Sequence, residues 1–268
     1  AEDLLRVARE LGSSRLHALG LLAEARAAVR RGEPGVSSRR LTSARRLVEQ
    51  RRQALTRLDV ALVEAWIRLD RGQWNEVRPL ATRLGSGAQR HGWALWQPLA
   101  SLLRGRAALG AGRFDEAERE LAGAVAEARR CGASGTEHLA TLLATQSRLL
   151  SGAGPGAATR EGRAEQAEDP ETDAVAKENR ALRALADGHP DLAHDHLQAA
   201  AASWASLGAT VWSARALRMS AETSHPAGKA RMRTGLVKRS DSILEVLRTP
   251  APARLSIRRM SEDLAGRG

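Results

Sequence analysis

A glycine recurs every 40 residues along this chain, and this spacing constrains the fold more than any other feature. The glycines are Gly32, Gly72, Gly112 and Gly152, followed after a step of 36 by Gly188. Each lies at the same point of a helical pattern, where glycine ends a helix in a conformation that other residues adopt at a cost. An internal repeat of this length predicts stacked helical units and argues against an enzyme.

Small side chains recur at fixed distances from these glycines. Seven residues before them stand Ala25, Ala65, Gly105, Thr145 and Ala181; five after them stand Ser37, Val77, Ala117, Ala157 and Ala193; twelve after them stand Ala44, Leu84, Ala124, Ala164 and Ala200. Two residues after the glycine, where the next helix opens, are Pro34, Trp74, Phe114, Gly154 and Pro190. Small residues in register let two antiparallel helices approach closely, so each unit is predicted to be helix, tight turn, helix.

The same pattern divides the chain into a repeat region over residues 1–248 and a tail over 249–268 with a short helix at 255–264. Residues 1–12 are interpreted as the second helix of an incomplete repeat. Further helices are predicted at 15–31, 37–55, 57–71, 74–91, 93–111, 114–131, 136–151, 156–168, 171–187, 190–207, 209–223 and 227–248. The prolines at 250 and 252 are expected to stop the last helix, because they lack the donor that continuation requires.

The Gly112 unit resembles a tetratricopeptide repeat. Its run Gly105-Arg-Ala-Ala108, followed by Gly112-Arg-Phe114-Asp-Glu-Ala117 and Ala124, carries the small residue, turn glycine, aromatic and packing alanines in register. Ala8-Arg-Glu-Leu-Gly12, Gly72-Gln-Trp-Asn-Glu-Val77 and Trp204-Ala-Ser-Leu-Gly208 are similar to the repeat arm of bacterial LuxR-type, ATP-dependent transcription regulators related to the maltose activator (MalT-like). The resemblance implies an all-α, right-handed α-solenoid of tetratricopeptide-like repeats that serves as a non-catalytic sensor or scaffold arm.

One column of the repeat is predicted to carry a binding site. Six residues before each turn glycine stand Arg26, Trp66, Arg106, Gln146 and Leu182. In tetratricopeptide arrays this column faces the concave groove, so the resemblance implies a groove that binds an inducer, a peptide or a partner domain. Arginines, an indole and an amide suit an extended peptide or an anionic ligand, through charge-assisted hydrogen bonds and stacking. The alternative is a solvated face with one partly buried tryptophan.

Basic residues form a second candidate surface. The net charge is +11, and one predicted helix near the start carries Arg39, Arg40, Arg45, Arg46, Arg51 and Arg52. Clustered cations of this kind neutralise phosphates, so direct nucleic-acid contact is one hypothesis. The helix also has an ordinary apolar stripe that includes Leu41 and Val48, which favours a solvated, arginine-rich outer face.

Candidate chemistry elsewhere is weak, and no cofactor, metal or catalytic residue is predicted. The glycine-rich run 152–162 lacks the lysine and the strand-to-helix turn of a phosphate-binding loop. His194 and His196 point away from each other on a helix, so they do not chelate as a pair with His189 nearby. Cys131, at a predicted helix end, is interpreted as a packing residue.

We therefore expect a cytoplasmic sensor or scaffold arm whose partners are a protein or peptide, adjoining domains of a larger regulator, or a small-molecule inducer. Two other functions stay open at this point. One is a protein–protein interaction repeat of a peptidase-linked or other modular assembly, and the other is nucleic-acid binding through the basic ends of the array. No segment approaches the roughly 18 apolar residues of a membrane span, so no membrane contact is expected.

Overall fold

The computed structural model describes residues 2–51, 54–152 and 169–223, together with 237, 238, 240 and 241. All regular structure in these residues is helical. The helices are α1 (Glu2–Glu10), α2 (Ser14–Arg30), α3 (Pro34–Arg51), α4 (Ala54–Asp70), α5 (Trp74–His91), α6 (Trp96–Gly110), α7 (Phe114–Cys131), α8 (Ser134–Ser151), α9 (Pro170–Ala186), α10 (Pro190–Ser206) and α11 (Thr210–Thr223).

The predicted helices that fall on described residues are confirmed. Helix α3 begins at Pro34 and α6 at Trp96, each three residues from the predicted starts at 37 and 93. Residues 52 and 53, within the predicted helix 37–55, lie outside the described residues. The predicted helix at 156–168, the tail at 249–268 and most of 227–248 lie outside the described residues.

The turn glycines end helices as the sequence predicts. At Gly112, with φ of 75°, the backbone N–H donates to the Leu109 carbonyl at 3.1 Å and the next N–H, of Arg113, donates to the Ala108 carbonyl at 2.9 Å. These bonds satisfy carbonyls that the helix end leaves unpaired, and the positive φ is what favours glycine there. Positive φ values also occur at the glycines that close the intervening helices, Gly92, Gly132 and Gly208.

The small-residue columns lie where helices meet. Every described member of the three columns is buried: Ala25, Ala65, Gly105, Thr145 and Ala181; Ser37, Val77, Ala117 and Ala193; Ala44, Leu84, Ala124 and Ala200. At Gly105 on α6, a Cβ atom would lie 2.5 Å from Cγ of Leu121 on α7. The two helix backbones therefore approach at a distance that only a missing side chain allows.

Helices pack in chain order, each against the next. In addition α2 contacts α4, α4 contacts α6 and α6 contacts α8, so these four helices form a continuous row, which we call the inner row. The described residues thus form an all-helical, repeat-like array in which α2, α4, α6 and α8 present one shared face.

The far end of the array meets this inner row. Helix α11 contacts α4, and the Trp212 ring centroid lies 5.2 Å from that of Trp74. Gly208, in the turn before α11, comes so close to the end of α2 that an added Cβ would lie 2.5 Å from the carbonyl oxygen of Arg30. Most of α11 is buried, including Trp212 and Arg215 at 2% exposure. The array is therefore curved, so that α11 and the turn before it pack against α2, α4 and Trp74.

Candidate ligand-binding site

The five residues of the predicted groove column lie on five different helices that face a common interior: Arg26 on α2, Trp66 on α4, Arg106 on α6, Gln146 on α8 and Leu182 on α9. Arg106, Gln146 and Leu182 are fully buried, whereas Trp66 is half-buried and 28% of the Arg26 side chain is exposed. Leu182 belongs to the apolar core and brings no polar group to the site.

Trp66 lies between two guanidinium groups. Cζ of Arg26 is 4.7 Å from the ring centroid and Cζ of Arg106 is 5.2 Å from it. Cations at these distances are attracted by the negative face of an indole. The repeat spacing places one such side chain on each of three successive inner helices, so the column becomes a stack of alternating cation and ring.

Two further indoles surround Arg106. Its Cζ lies 4.6 Å from the Trp212 ring and 5.6 Å from the Trp204 ring, and the two rings are 5.9 Å apart. Both tryptophans come from the late helices α10 and α11 and are at most 2% exposed. The Arg106 guanidinium is therefore surrounded by aromatic rings and a carboxylate where an exposed arginine would have water.

Two carboxylates pair with the arginines of the inner row. Oδ2 of Asp70 lies 3.7 Å from Nε of Arg26 and 3.5 Å from Nε of Arg30. Glu171, in the first turn of α9, accepts a hydrogen bond from Arg106 through Oε1, and its Oε2 lies 3.9 Å from Arg26 and 4.0 Å from Arg30. Glu171 therefore joins α9 to both α2 and α6.

The environment shifts the pKa values of these carboxyls in opposite directions. Burial raises the pKa of Asp70, although Arg26 and Arg30 oppose this change. Burial acts in the same way on Glu171, but there Arg106, with help from Arg26 and Arg30, outweighs it and the pKa is lowered. Glu171 is accordingly the carboxylate whose charge the folded chain stabilises.

A third carboxylate, Glu178 on α9, is 1% exposed. Its Oε1 accepts a hydrogen bond from Nε1 of Trp204 at 2.7 Å, and its Oε2 accepts one from Nε2 of Gln146. Arg215 on α11 is near enough for Glu178 to favour its charged form, while burial lowers the pKa of Arg215. The Gln146 amide, which the repeat column predicted to face a ligand, thus donates a hydrogen bond to a buried carboxylate of the same chain.

These side chains form one connected group, which we name the axial cluster. It consists of Arg26, Arg30, Trp66, Asp70, Arg106, Gln146, Glu171, Glu178, Trp204, Trp212 and Arg215. Four of its members, Arg26, Trp66, Arg106 and Gln146, were predicted from the repeat column. The sequence pattern did not predict the other members: Arg30, Asp70, Glu171, Glu178, Trp204, Trp212 and Arg215.

The basic surface lies on α3, away from the axial cluster. Arg39, Arg40, Arg45 and Arg46 are exposed; Arg51 ends the helix and Arg52 is outside the described residues. Arg40 pairs with Glu24 at 2.7 Å, and Arg45 pairs with Glu64. Two of these cations are therefore bound to carboxylates of α2 and α4, which reduces the charge this face offers to a phosphate backbone.

Cys131 is the last residue of α7 and is half-buried, with Sγ 3.6 Å from the Ala128 carbonyl oxygen. Among the described residues, no group of three or more His, Cys, Asp or Glu side chains is arranged to hold a metal ion.

Comparisons with protein-family models, with curated proteins and with solved structures gave no match to this chain. Over the part of the chain that the structure describes, no helix combines the length and apolar character needed to cross a membrane.

Proposed function

We propose that this chain is a non-catalytic sensor or scaffold arm of a bacterial signal-transduction or transcription regulator, built as a right-handed solenoid with a period of about 40 residues. The arm acts by binding a ligand or partner at the axial cluster. Turn glycines at Gly32, Gly72, Gly112 and Gly152 and the buried small-residue columns support the repeat architecture. Resemblance to LuxR-type regulators supports the regulatory role.

The main support for this proposal is that side chains of the groove column lie together in one interior. Arg26, Trp66 and Arg106 come from helices far apart in sequence, yet they stack in one interior. Arginine stacked on indole presents planar donors beside an apolar surface, which is the chemistry that small-molecule sites use for orientation and specificity. A fold stabilised by apolar columns alone has no need of this polar interior, because apolar replacements for buried ion pairs are often as stable.

The axial cluster also connects ligand binding to the relative positions of the early and late helices. Glu171, Trp204 and Trp212 belong to the late helices, whereas Arg26 and Trp66 belong to the early ones. A ligand that changes these contacts alters how α9–α11 sit against α2 and α4. Such a change is transmitted along a solenoid because each unit contacts its neighbours, and it biases the assembly of attached domains.

The test is a thermal-shift screen of inducer-sized compounds and peptides on the full chain, followed by small-angle scattering with each hit. A genuine ligand raises the unfolding midpoint and changes the solution dimensions. The midpoint shift should disappear in Trp66→Leu and persist in Trp93→Leu, a matched change at an indole that stacks on His91 outside the axial cluster. Equal shifts in both variants, or catalytic turnover by the purified chain, would contradict the proposal.

A further inference from the structure

Counted over the residues that the structure describes, the axial cluster contains more positive than negative charge. Its cations are Arg26, Arg30, Arg106 and Arg215, and its carboxylates are Asp70, Glu171 and Glu178. All seven groups are at least mostly buried. An uncompensated charge in such surroundings is unfavourable, so one additional negative charge would balance the group.

Hydrogen-bond donors are in excess in the same place. NH1 and NH2 of Arg215, Nε of Arg106 and Nε1 of Trp212 are buried, and the described residues supply none of them with an acceptor. Arg215 is 2% exposed, so bulk water does not serve it either. Buried donors are normally paired, and a guanidinium is the donor group best shaped for the two oxygens of a carboxylate or phosphate.

The donors without acceptors belong to one indole and to the two guanidiniums beside it. Cζ of Arg106 lies 4.6 Å from the Trp212 ring and Cζ of Arg215 lies 5.5 Å from it, so both guanidiniums adjoin the same indole. Arg106 is also close enough to disfavour the charged form of Arg215. Two like charges held beside one ring are the arrangement that a shared anion stabilises.

We propose that the ligand of the axial cluster is a small molecule bearing a carboxylate or phosphate, bound by Arg106 and Arg215 beside Trp212, and that Glu171 is its internal competitor. This inference rests on the proposed function, since it names the chemical class of ligand for the same site. The ligand is small because Arg106, Trp212 and Arg215 are at most 2% exposed, which excludes a bulky partner.

Glu171, which pairs with Arg106, is more exposed than Arg106 or Arg215. Its side chain is 19% exposed, beside Arg26 at 28% and Arg30 at 23%, so this edge is the most open part of the arginine group. An anion that takes Nε and a terminal nitrogen of Arg106 displaces the Glu171 carboxylate, which stays paired with Arg26 and Arg30. Because Glu171 is in the first turn of α9, exchange of its partner is coupled to the position of that helix.

The test titrates sodium acetate and, separately, sodium phosphate into the full 268-residue chain at constant ionic strength, with sodium chloride as the reference. The unfolding midpoint is measured at each concentration. We expect a saturable rise with at least one of the two anions, and the pair distinguishes a carboxylate site from a phosphate site. No saturable rise with either anion overturns the inference.

Three variants locate the effect. Arg215→Met should abolish the response to anions, because it removes one of the two guanidiniums proposed to bind them. Arg218→Met, one turn further along α11 where the side chain pairs with Glu222 and Asp241, should retain the response. Glu171→Gln should lower the apparent Kd about tenfold, since a charge-assisted bond no longer competes.

An anion response that persists in Arg215→Met overturns the inference. If Arg215→Met fails to fold, the Glu171→Gln titration decides alone, and an unchanged or weaker affinity there counts against the site. Failure of the anion site is distinguishable from failure of the proposed function. If a neutral inducer changes the solution dimensions, the proposed function is supported although the anion site is not. If anions bind without changing the dimensions, the anion site is supported although the proposed function is not.

Discussion

Replacing Gly208 by alanine tests whether the late helices close onto the early ones. Gly208 has φ of 65°, and a Cβ atom there would lie 2.5 Å from the Arg30 carbonyl oxygen and 2.8 Å from Arg30 Cβ. The left-handed conformation costs an alanine about 1 kcal/mol. The clash with a backbone atom adds about 1–3 kcal/mol, because α2 and the turn before α11 must separate to relieve it. The expected loss is therefore about 2–4 kcal/mol.

The matched control is Gly92→Ala. Gly92 has nearly the same φ, 66°, and also ends a helix, but nothing lies within 4 Å of its added Cβ. It should lose only the conformational term, about 1 kcal/mol. Denaturant unfolding followed by circular dichroism gives both values, provided that the slopes of the transitions agree. Equal losses in the two variants would refute the closing contact between Gly208 and Arg30.

Two other predictions follow from single contacts. Glu171→Gln should destabilise the chain by about 1–3 kcal/mol at neutral pH, by weakening the bond to Arg106. Since the pKa of Glu171 is lowered on folding, its stabilisation is complete above the ordinary value of 4.5 and is lost as the pH falls below it; the unfolding free energies of variant and parent should then converge. Gly105→Ala should destabilise by about 1–3 kcal/mol through contact with Leu121, whereas Gly123→Ala, where nothing lies within 4 Å, should stabilise by about 0.5–1 kcal/mol. Thermal unfolding distinguishes Gly105→Ala from Gly123→Ala. Equal destabilisation by both substitutions would argue against the close approach of α6 and α7 at Gly105.

The repeat could be predicted because its signals are local. Gly112 ends its own helix through its N–H bond to Leu109, three residues earlier, and through the bond from the next N–H, of Arg113, to Ala108. Phe114 begins the next helix. Small residues such as Ala65 and Ala117 pack within their own helix pair or the adjacent one. Spacing along the chain therefore carries the information that fixes these contacts.

The partners across the interior could not be predicted in this way. The column showed that Arg26, Trp66 and Arg106 share a face, but nothing in its spacing says what that face meets. Glu171 and Trp212 reach it only because the array curls until α11 touches α4, and this curvature is a sum of small rotations at every helix pair. The sequence consequently suggested an open groove, whereas the described structure has much of that space filled by the chain's own late helices.

The grouping of indoles around Arg106 gives the protein a built-in optical reporter. An excited indole has a larger dipole than its ground state, so its emission wavelength responds to the field of a nearby charge. Trp66, Trp204 and Trp212 all lie within 5.6 Å of the Arg106 guanidinium carbon. Any event that moves this cation, or places an opposite charge beside it, should therefore change the ultraviolet emission of the chain without an attached label.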